Sequence, residues 1–350
     1  MHARPCLACV LPPYLLDHLA KHGHARLRSA AQDSLTLDHQ LRVRRAAIGR
    51  ASTTLATAIN VPPGQLRRHV HSADNSSQLP GRLVRSEGQP SSGDAAVDEA
   101  YDYLGATYAL FWEVFKRHSI DGAGLPLVGT VHYGQNYENA FWNGEQMVFG
   151  DGDGEIFNRF TSSIDIVGHE LAHGVIEHET SLPYQGQSGA LNESLADVFG
   201  TLVKQYYARQ SVEQADWLIG SELFTDAVNA TALRSMRAPG TAYDDPALGK
   251  DPQPAHMRDF VQTQADNGGV HINSGIPNRA FYLAATAIGG YAWENSGRIW
   301  YEAMCDEQVW DQADFAQFAR LCVEVAGRLY GAGHEQQAVI SAWTDVGVLQ

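Results

Sequence analysis

The sequence predicts a two-lobe α+β fold, in which a mixed α/β N-terminal lobe precedes a mainly α-helical C-terminal lobe and a cleft lies between them. In the first half, apolar segments of strand-like character are separated by glycine-rich turns and one long amphipathic stretch. From Leu191 onward, apolar residues recur at helical spacing. With 350 residues and 44% hydrophobic content, the chain is long enough for two lobes and an appendage.

Three parts are expected along the chain. Residues 1–50 have helical apolar spacing over 14–21 and 25–35, and small and polar residues from Ala46 predict a linker that continues to about residue 70. The first lobe, 71–187, is expected to contain a helix over 94–118 and strands over 127–133 and 146–149. The second lobe, 188–350, is expected to contain helices over 191–207, 215–223, 276–288, 297–304, 313–329 and 335–345.

The most specific motif is His169-Glu170-Leu171-Ala172-His173, on a predicted proline-free helix over 164–179. Residues four apart share a helix face, so His169 and His173 can point two imidazoles at one metal ion while Glu170 flanks it without binding. Glu193, twenty residues past His173, is the natural third ligand. Two histidines and one carboxylate leave a fourth position open for water, which is typical of a catalytic zinc site. Asp197 lies four residues after Glu193, and we expect it to accept the free N–H of a ligand histidine.

A second motif lies about a hundred residues further on, from Asp266 to Gly275. The paired glycines Gly268 and Gly269 predict a tight turn that presents His271 into a cleft. Asp266 is expected to orient that imidazole. Taken alone, a histidine in such a place is more often structural.

These segments together resemble the thermolysin-like family of zinc endopeptidases, from about Leu79 to the end of the chain. The resemblance also includes the runs Asn139-Ala140-Phe141-Trp142-Asn143-Gly144, Val148-Phe149-Gly150-Asp151-Gly152-Asp153-Gly154 and Leu233-Arg234-Ser235-Met236. Pro12-Pro13-Tyr14-Leu15-Leu16 resembles a run in the short pro-segment of the protealysin-like branch. The resemblance implies a zincin fold, with the zinc helix and the active-site cleft between the lobes.

The resemblance also implies roles for individual residues. Zinc is held by His169, His173 and Glu193, and Glu170 takes a proton from water and delivers it to the leaving amine. Tyr184 and His271 stabilise the developing oxyanion, with Asp266 holding His271. The residues expected to bind substrate are Asn139, Ala140 and Trp142 on an edge strand, Arg234 at the carbonyl just after the cut, and Leu233, Ile166, Phe157 and Phe160 around an apolar pocket. We therefore expect a preference for large apolar residues on the carboxyl side of the cut.

One departure from the family concerns calcium. Relatives with a double calcium site carry carboxylates at the positions of Lys204 and Leu218, whereas Asp165, Asp216 and Glu222 remain here. A lysine inside such a cluster replaces a cation rather than helping to bind one, because calcium takes oxygen ligands. The double site is expected to be lost, and Lys204 to pair with Asp165. Calcium elsewhere is left open.

Charge is distributed unevenly along the chain. Residues 1–70 hold ten Lys/Arg and three acidic residues, a net charge of +7, whereas the other 280 residues carry 15 basic and 37 acidic groups, a net charge of −22. A basic arm can bind nucleic acid, but this one has only Tyr14 as an aromatic residue. We expect it to dock on the acidic body of the same chain as an inhibitory pro-segment, with Pro12, Pro13, Tyr14 and Leu15 in the cleft.

The predicted function is that of a zinc-dependent neutral endopeptidase made as a zymogen, with peptides or proteins as substrates. No nucleic acid and no second subunit are expected. No membrane is expected either, because no apolar run reaches the roughly 18–20 residues of a membrane helix. Met1 to Leu16 lacks the apolar core of a secretory signal, so a cytoplasmic location or export by a non-classical route is expected. The four cysteines do not form a disulfide framework for a chain of this size. Cys6 and Cys9 are either reduced thiols of the pro-segment or a source of a thiolate that displaces the zinc-bound water.

Two other classes of zinc peptidase are excluded because this sequence lacks their characteristic residues. The metzincin pattern would place glycine at Ile176 and a third histidine at Glu179, and His178 is one position out of register. The gluzincin aminopeptidases carry a Gly-x-Met-Glu-Asn-type run, which this sequence lacks. A catalytically silent peptide-binding relative, held as an uncleaved precursor, is the alternative function, and it predicts damage in a site whose motifs are intact.

Overall fold

The computed structural model describes residues 8–48, 61–180, 182–308 and 313–350. Cys6, part of the linker and Ser181 therefore lie outside the described residues. The amino-terminal segment forms a short strand β1 (Ala8–Cys9) and two helices, α1 (Pro13–His22) and α2 (Ala25–Ile48). Pro13 is the first residue of α1, a position where the missing N–H costs no hydrogen bond.

The first lobe is built on a mixed sheet. Its strands are β2 (Arg68–Ser72), β3 (Arg82–Ser86), β4 (Leu127–Val131), β5 (Ala140–Trp142) and β6 (Met147–Phe149). The spatial order is β1-β5-β6-β4-β2-β3, in which β2, β4 and β6 run parallel and the other pairs are antiparallel. Strand β5 would be an edge of the lobe's own sheet, and β1 of the amino-terminal segment pairs with that edge.

Helix α3 (Ala95–Glu113) packs on this sheet and begins at a well-formed cap. The Asp94 carboxylate accepts hydrogen bonds from the backbone N–H groups of Ala96 and Val97, which satisfies two otherwise unpaired donors. The predicted helix over 94–118 is confirmed, although it ends five residues earlier than expected.

The second lobe is mainly helical, and α4 (Ile164–Glu179) lies between the lobes. Its other helices are α5 (Gly186–Ala208), α6 (Asp266–Asn273), α7 (Gly275–Ile288), α8 (Asn295–Met304), α9 (Phe315–Tyr330) and α10 (His334–Asp345). Two-stranded pairs join β7 (Leu218–Ile219) to β8 (Arg234–Ser235) and β9 (Asp244–Asp245) to β10 (Gly249–Lys250). The two-lobe α+β fold predicted from the sequence is confirmed.

The helix predicted over 215–223 is wrong. That stretch forms a turn followed by β7, and its Trp217 and Gly220 have positive φ angles of 59° and 68°. Such angles do not fit a right-handed helix, and the Asp216 carboxylate accepts the N–H of Leu218 to close the turn instead. The consequence for the site is that β7 pairs with β8 and fixes the position of Arg234.

Helices α4 and α5 pack against each other where a glycine of one helix faces a glycine of the other. A Cβ added to Gly200 would lie 2.5 Å from the carbonyl oxygen of Asp165, and one added to Gly168 would lie 3.2 Å from the Cα of Gly200. Only glycine fits at such a distance. This close crossing brings the two helices that carry the H-E-x-x-H motif and Glu193 side by side.

The amino-terminal segment shares the core of the body. Its buried apolar side chains belong to the same cluster as those of both lobes, and they are Val10, Leu11, Leu15, Leu16 and Leu19. None of the described helices combines the length and apolar character needed to cross a bilayer.

Candidate metal centre and substrate cleft

Three side chains converge at the junction of α4 and α5. The ligand atoms of His169, His173 and Glu193 all lie within 4.8 Å of one another, and all three residues are buried. Within the described parts of the chain, no other group of three histidine, cysteine or acidic residues converges in this way.

The hydrogen bonds of the two histidines leave one lone pair of each directed at the same place. Asp197 Oδ1 accepts from His169 Nδ1 and Asn192 Oδ1 accepts from His173 Nδ1, both at 2.8 Å, so each proton sits on Nδ1. The two Nε2 atoms then face each other at 3.0 Å without a proton between them. Burial lowers the pKa of His173 to about 3, so its imidazole is neutral, as a metal ligand must be.

This donor set fits zinc. Two neutral imidazoles and one carboxylate are the ligands of a catalytic zinc site, and Glu193 Oε2 is buried with no hydrogen-bond partner among the described residues. A divalent cation would satisfy that oxygen and both lone pairs at once. Asn192, which directly precedes Glu193, was not assigned a role from the sequence, although it fixes one ligand's tautomer.

Asp197 lies at the centre of a buried network behind the ligands. Besides His169, it accepts two hydrogen bonds from Arg234, at 2.7 Å to Nε and 2.7 Å to Nη2, and one from Asn278 at 2.8 Å. Burial alone would raise the pKa of Asp197, but Arg234 and His169 hold it well below its usual value. This contact is the one expected of a residue that orients a ligand histidine. Asn278 carries no sequence signal that marked it for this place.

Glu170 lies beside the ligand histidines. It is fully buried, and neither carboxylate oxygen has a hydrogen-bond partner in the described part of the chain. Burial and the charge of Glu193 raise the pKa of Glu170, and the charge of Arg234 partly offsets this. The Trp142 indole donates to Glu177 at 2.8 Å. A carboxyl group whose pKa lies above its ordinary value can both take and return a proton near neutral pH.

The opposite wall of the centre carries His271. The predicted tight turn is confirmed, because Asn267, Gly268 and Gly269 all have positive φ angles. Asp266 accepts from His271 Nδ1 at 2.6 Å and from its backbone N–H at 2.9 Å. Burial alone would lower the pKa of His271, but the charges of Asp266 and Glu193 raise it to about 9. The protonated ring then donates from Nε2.

Tyr184 completes that wall. Its hydroxyl donates to Glu193 Oε1 and lies 3.2 Å from His271 Nε2. Two donors thus meet on the same side of the metal ligands, which is the arrangement needed to stabilise a developing negative charge.

The four residues expected to line an apolar pocket are buried in the core. Ile166, Leu233, Phe157 and Phe160 are all at most 1% exposed and belong to the main core cluster. A Cβ added to Gly220, directly after β7, would lie 3.3 Å from side-chain atoms of both Ile166 and Leu233, so these two side chains lie close to each other there.

The backbone of the amino-terminal segment lies along the edge strand. β1 pairs antiparallel with β5, and Val10 N–H then donates to the Ala140 carbonyl at 3.2 Å. Leu11 N–H donates to Asn139 Oδ1 at 3.0 Å. The carbonyl of Val10 accepts from Arg234 Nη1 at 3.0 Å. Sequence reasoning placed Tyr14 and Leu15 in this part of the cleft, but the chain atoms that bond to the cleft belong to residues 9–11.

The pro-segment residues that the sequence predicted to occupy the cleft follow directly after residues 9–11. Pro12 is extended, with φ −65° and ψ 139°, and Leu15 is fully buried. Tyr14 is partly buried, and burial together with Tyr243 and Asp251 raises the pKa of its phenol.

Helix α2 holds the same edge strand from its other end. Asp38, an acidic residue of the segment, is buried and accepts from the Tyr137 hydroxyl and from Asn139 Nδ2, the latter at 2.9 Å. Ser34 Oγ accepts the backbone N–H of Glu138 at 3.0 Å. Docking therefore relies on buried hydrogen bonds and apolar contacts. Among the described residues, a hydrogen bond between His24 Nε2 and Glu155 Oε1, at 2.5 Å, also joins the segment to the body.

The lysine expected in place of calcium lies in its acidic cluster. Lys204 Nζ is 3.3 Å from Asp165 Oδ2, 3.0 Å from Asp216 Oδ2 and 4.0 Å from Glu222 Oε1. Burial alone would lower the pKa of Lys204, but these carboxylates raise it, so the ammonium stays charged. The expected contact with Asp165 is confirmed.

A buried two-histidine, one-carboxylate centre on a two-lobe α+β fold defines a zinc metallopeptidase. Comparison with known families agrees: "Thermolysin metallopeptidase, catalytic domain" matches residues 63–177 and "Thermolysin metallopeptidase, alpha-helical domain" matches residues 180–348. The chain belongs to the thermolysin-like family of zinc metalloendopeptidases, in its protealysin-like branch.

Individual relatives cover nearly the whole chain. An "Extracellular metalloprotease" of Pectobacterium carotovorum subsp. carotovorum is 54% identical over 99% of this chain and 98% of its own length. "Protease PrtS" of Photorhabdus sp. is 48% identical over 97% and 91%, respectively. The solved structure of a "Precursor of Protealysin, Metalloproteinase from Serratia proteamaculans" is 56% identical, covers 97% of this chain and 99% of its own, and superposes with a TM-score of 0.90.

Proposed function

We propose that the chain is a zinc-dependent neutral endopeptidase made as a zymogen, whose residues 1 to about 50 hold the cleft shut until they are removed. The observation that carries this proposal is β1 on β5: the segment occupies the edge to which an extended substrate would bind. The solved protealysin precursor, similar over nearly the whole chain, supports it.

The chemistry assigns a task to each side chain of the centre. Zinc, when bound, supplies Lewis-acid activation that lowers the pKa of a water molecule from about 15.7 towards 7. Glu170 takes the proton of that water and gives it to the departing amine. His271 and Tyr184 donate hydrogen bonds to the oxygen that gains negative charge. Asp266 keeps His271 protonated and in place.

Substrate binding follows from the backbone groups that the cleft offers. Asn139 and Ala140 bind an extended main chain whatever its sequence, and Arg234 binds the carbonyl that follows the cut. The pocket at Ile166 and Leu233 favours a large apolar side chain on the carboxyl side of that cut. A comparison of peptides that differ only at this position tests the preference, which fails if charged side chains are accepted equally well.

The proposal extends to calcium and location. Lys204 supplies the positive charge between Asp165 and Asp216, so the usual double calcium site is lost. Export by a non-classical route or retention in the cytoplasm remains the proposal for location, and fractionation of the producing cells tests it.

Zinc content and peptide cleavage of the trimmed chain test the function directly. The trimmed chain should bind one zinc and cleave peptides internally, and removal of zinc by a chelator should stop cleavage. A zinc-loaded trimmed chain without peptidase activity would favour the silent peptide-binding alternative.

A further inference from the structure

Strand β1 pairs with the edge strand β5 in a single register. This register places one peptide bond, Cys9–Val10, next to the metal centre. In the pairing of β1 with β5, Cys9 lies opposite Phe141. The next residue continues the pairing, with Val10 N–H bonded to the Ala140 carbonyl at 3.2 Å. These contacts fix the direction of the segment backbone along β5 and the position of the Cys9–Val10 bond on that strand.

The carbonyl of that bond lies at the donors of the metal centre. Cys9 O accepts a hydrogen bond from His271 Nε2 at 2.9 Å. The same nitrogen lies 3.5 Å from Oε2 of the metal ligand Glu193 and 3.2 Å from the Tyr184 hydroxyl. The carbonyl oxygen that would gain negative charge during hydrolysis is therefore already hydrogen-bonded to His271, one of the two donors that would stabilise it.

The residue that follows the bond is fixed by its other backbone atoms and by its side chain. The Val10 carbonyl is held by Arg234 at 3.0 Å. The Val10 side chain is fully buried in the core cluster that contains Ile166 and Leu233. The residue on the carboxyl side of the bond is therefore apolar and lies in apolar surroundings.

We propose that the Cys9–Val10 peptide bond is a substrate of the chain's own metal centre and is hydrolysed in cis. One water molecule is consumed: its oxygen forms a bond to the Cys9 carbonyl carbon, and the bond from that carbon to the Val10 nitrogen breaks. Glu170 passes one proton of the water to the nitrogen, and the second water proton also ends on that nitrogen, so the products carry a Cys9 carboxylate and a Val10 ammonium group. This inference rests on the proposed function.

The cut does not release the rest of the segment. Leu11, Leu15, Leu16 and Leu19, all on the carboxyl side of the bond, are fully buried. Asp38 keeps its hydrogen bonds to Tyr137 and Asn139 in α2. Full activity therefore requires a second event that removes residues from Val10 through α2, and the cut at Cys9–Val10 precedes it.

The experiment follows the zinc-loaded full-length chain by intact mass and amino-terminal sequencing. We expect a species that has lost residues 1–9 and begins at Val10, formed with first-order kinetics that do not change on tenfold dilution. Glu170→Gln should abolish it. Val10→Pro should also abolish it, because proline has no N–H for Ala140, whereas Val10→Ile keeps both the N–H and the apolar side chain and should still be cut.

Two results would overturn the inference. One is a wild-type chain that stays intact at Cys9–Val10, or is cut at a neighbouring bond, while the trimmed chain hydrolyses peptides; the proposed function would then stand without self-cleavage. The other is a cut whose apparent first-order rate constant falls in proportion to dilution, which makes it intermolecular. If the trimmed chain also fails to hydrolyse peptides, the proposed function fails as well.

Discussion

Glu170 is the residue on which the assigned chemistry depends most directly. Glu170→Gln should lower peptide hydrolysis by the trimmed chain about 10²–10⁴-fold, because a neutral amide cannot carry the proton to the leaving amine. Zinc should remain bound, since Glu170 is not among the three converging ligands. Zinc content by metal analysis and turnover of a model peptide measure the two effects separately.

A matched control lies on the same helix. His178 is exposed, and His178→Gln should leave both zinc content and turnover unchanged. Loss of zinc in Glu170→Gln would make that residue part of the metal site, and retained turnover would remove it from the mechanism.

A substitution at His271 distinguishes a catalytic role of this residue from a structural one. His271→Ala should lower turnover by about 10²–10³-fold, as the loss of one oxyanion donor does, and leave zinc bound. The rate and the zinc content of the trimmed variant are the measurements. A variant that loses zinc or its folded structure instead would show that the imidazole supports the fold at the turn Asp266–Gly269.

At the level of residues, the sequence was sufficient wherever chemistry imposes a spacing. His169 and His173 must lie four apart to share a helix face, and the Gly268-Gly269 pair marks a turn that other residues adopt at a cost. Asn278 and Val10 reached the site through tertiary packing alone. Val10 and Leu11 directly precede the Pro-Pro pair. That position was the one feature of the sequence that could have indicated an extended backbone at β1.

Among the elements, the crossing of α4 and α5 sets the geometry of the metal ligands. Gly200→Ala adds a Cβ 2.5 Å from the Asp165 carbonyl, so the helices must separate. We expect a loss of about 1–3 kcal/mol of unfolding free energy, as for overpacking, and weaker zinc binding because α5 carries Glu193. Urea unfolding and a zinc competition titration measure these effects.

Gly333 provides the control for that substitution. An added Cβ there meets nothing within 4 Å, so Gly333→Ala should leave zinc affinity unchanged. Equal effects of the two substitutions would refute the role of close helix packing.

Lys204 connects α5 to the turn before β7. Lys204→Met should lower the free energy of unfolding by about 3–5 kcal/mol, because it leaves the buried Asp165 carboxylate without its cation. The exposed Lys250 is the matched control, and Lys250→Met should have little effect.

The same cluster predicts how melting responds to calcium. The melting temperature of the zinc-loaded wild type should not depend on millimolar calcium, measured with a chelator that spares zinc. A large calcium-dependent shift that disappears on mutation of Asp165 and Asp216 would show that the double site binds calcium.

At the level of elements, helices with long apolar periodicity were predicted within a few residues, as for α3 and α7. The stretch 215–223 was not, because its pattern is helical while Asp216 and Gly220 close a turn. Strand β1 has two residues, too few to show a period, and its pairing with β5 depends on the whole fold.

In the whole molecule, the opposite net charges of segment and body predicted docking but not the contacts that hold it. The described contacts are mostly buried and apolar, with Asp38 hydrogen-bonded to Tyr137 and Asn139. Because Asn139 is also an expected substrate contact, removal of the segment frees the group that substrate needs. On the proposed zymogen mechanism, the segment and a substrate would therefore compete for the same atoms.

The most direct test of the account is the rate of peptide hydrolysis per bound zinc, measured for a precursor with a non-cleavable linker and for the chain trimmed of residues 1 to about 50. The precursor should be nearly inactive, and activity should rise in proportion to loss of the segment. Cys6→Ser with Cys9→Ser should leave inhibition in place if backbone contacts such as that of Cys9 with His271 are sufficient. A non-cleavable precursor that hydrolyses peptides as fast as the trimmed chain would contradict the central claim.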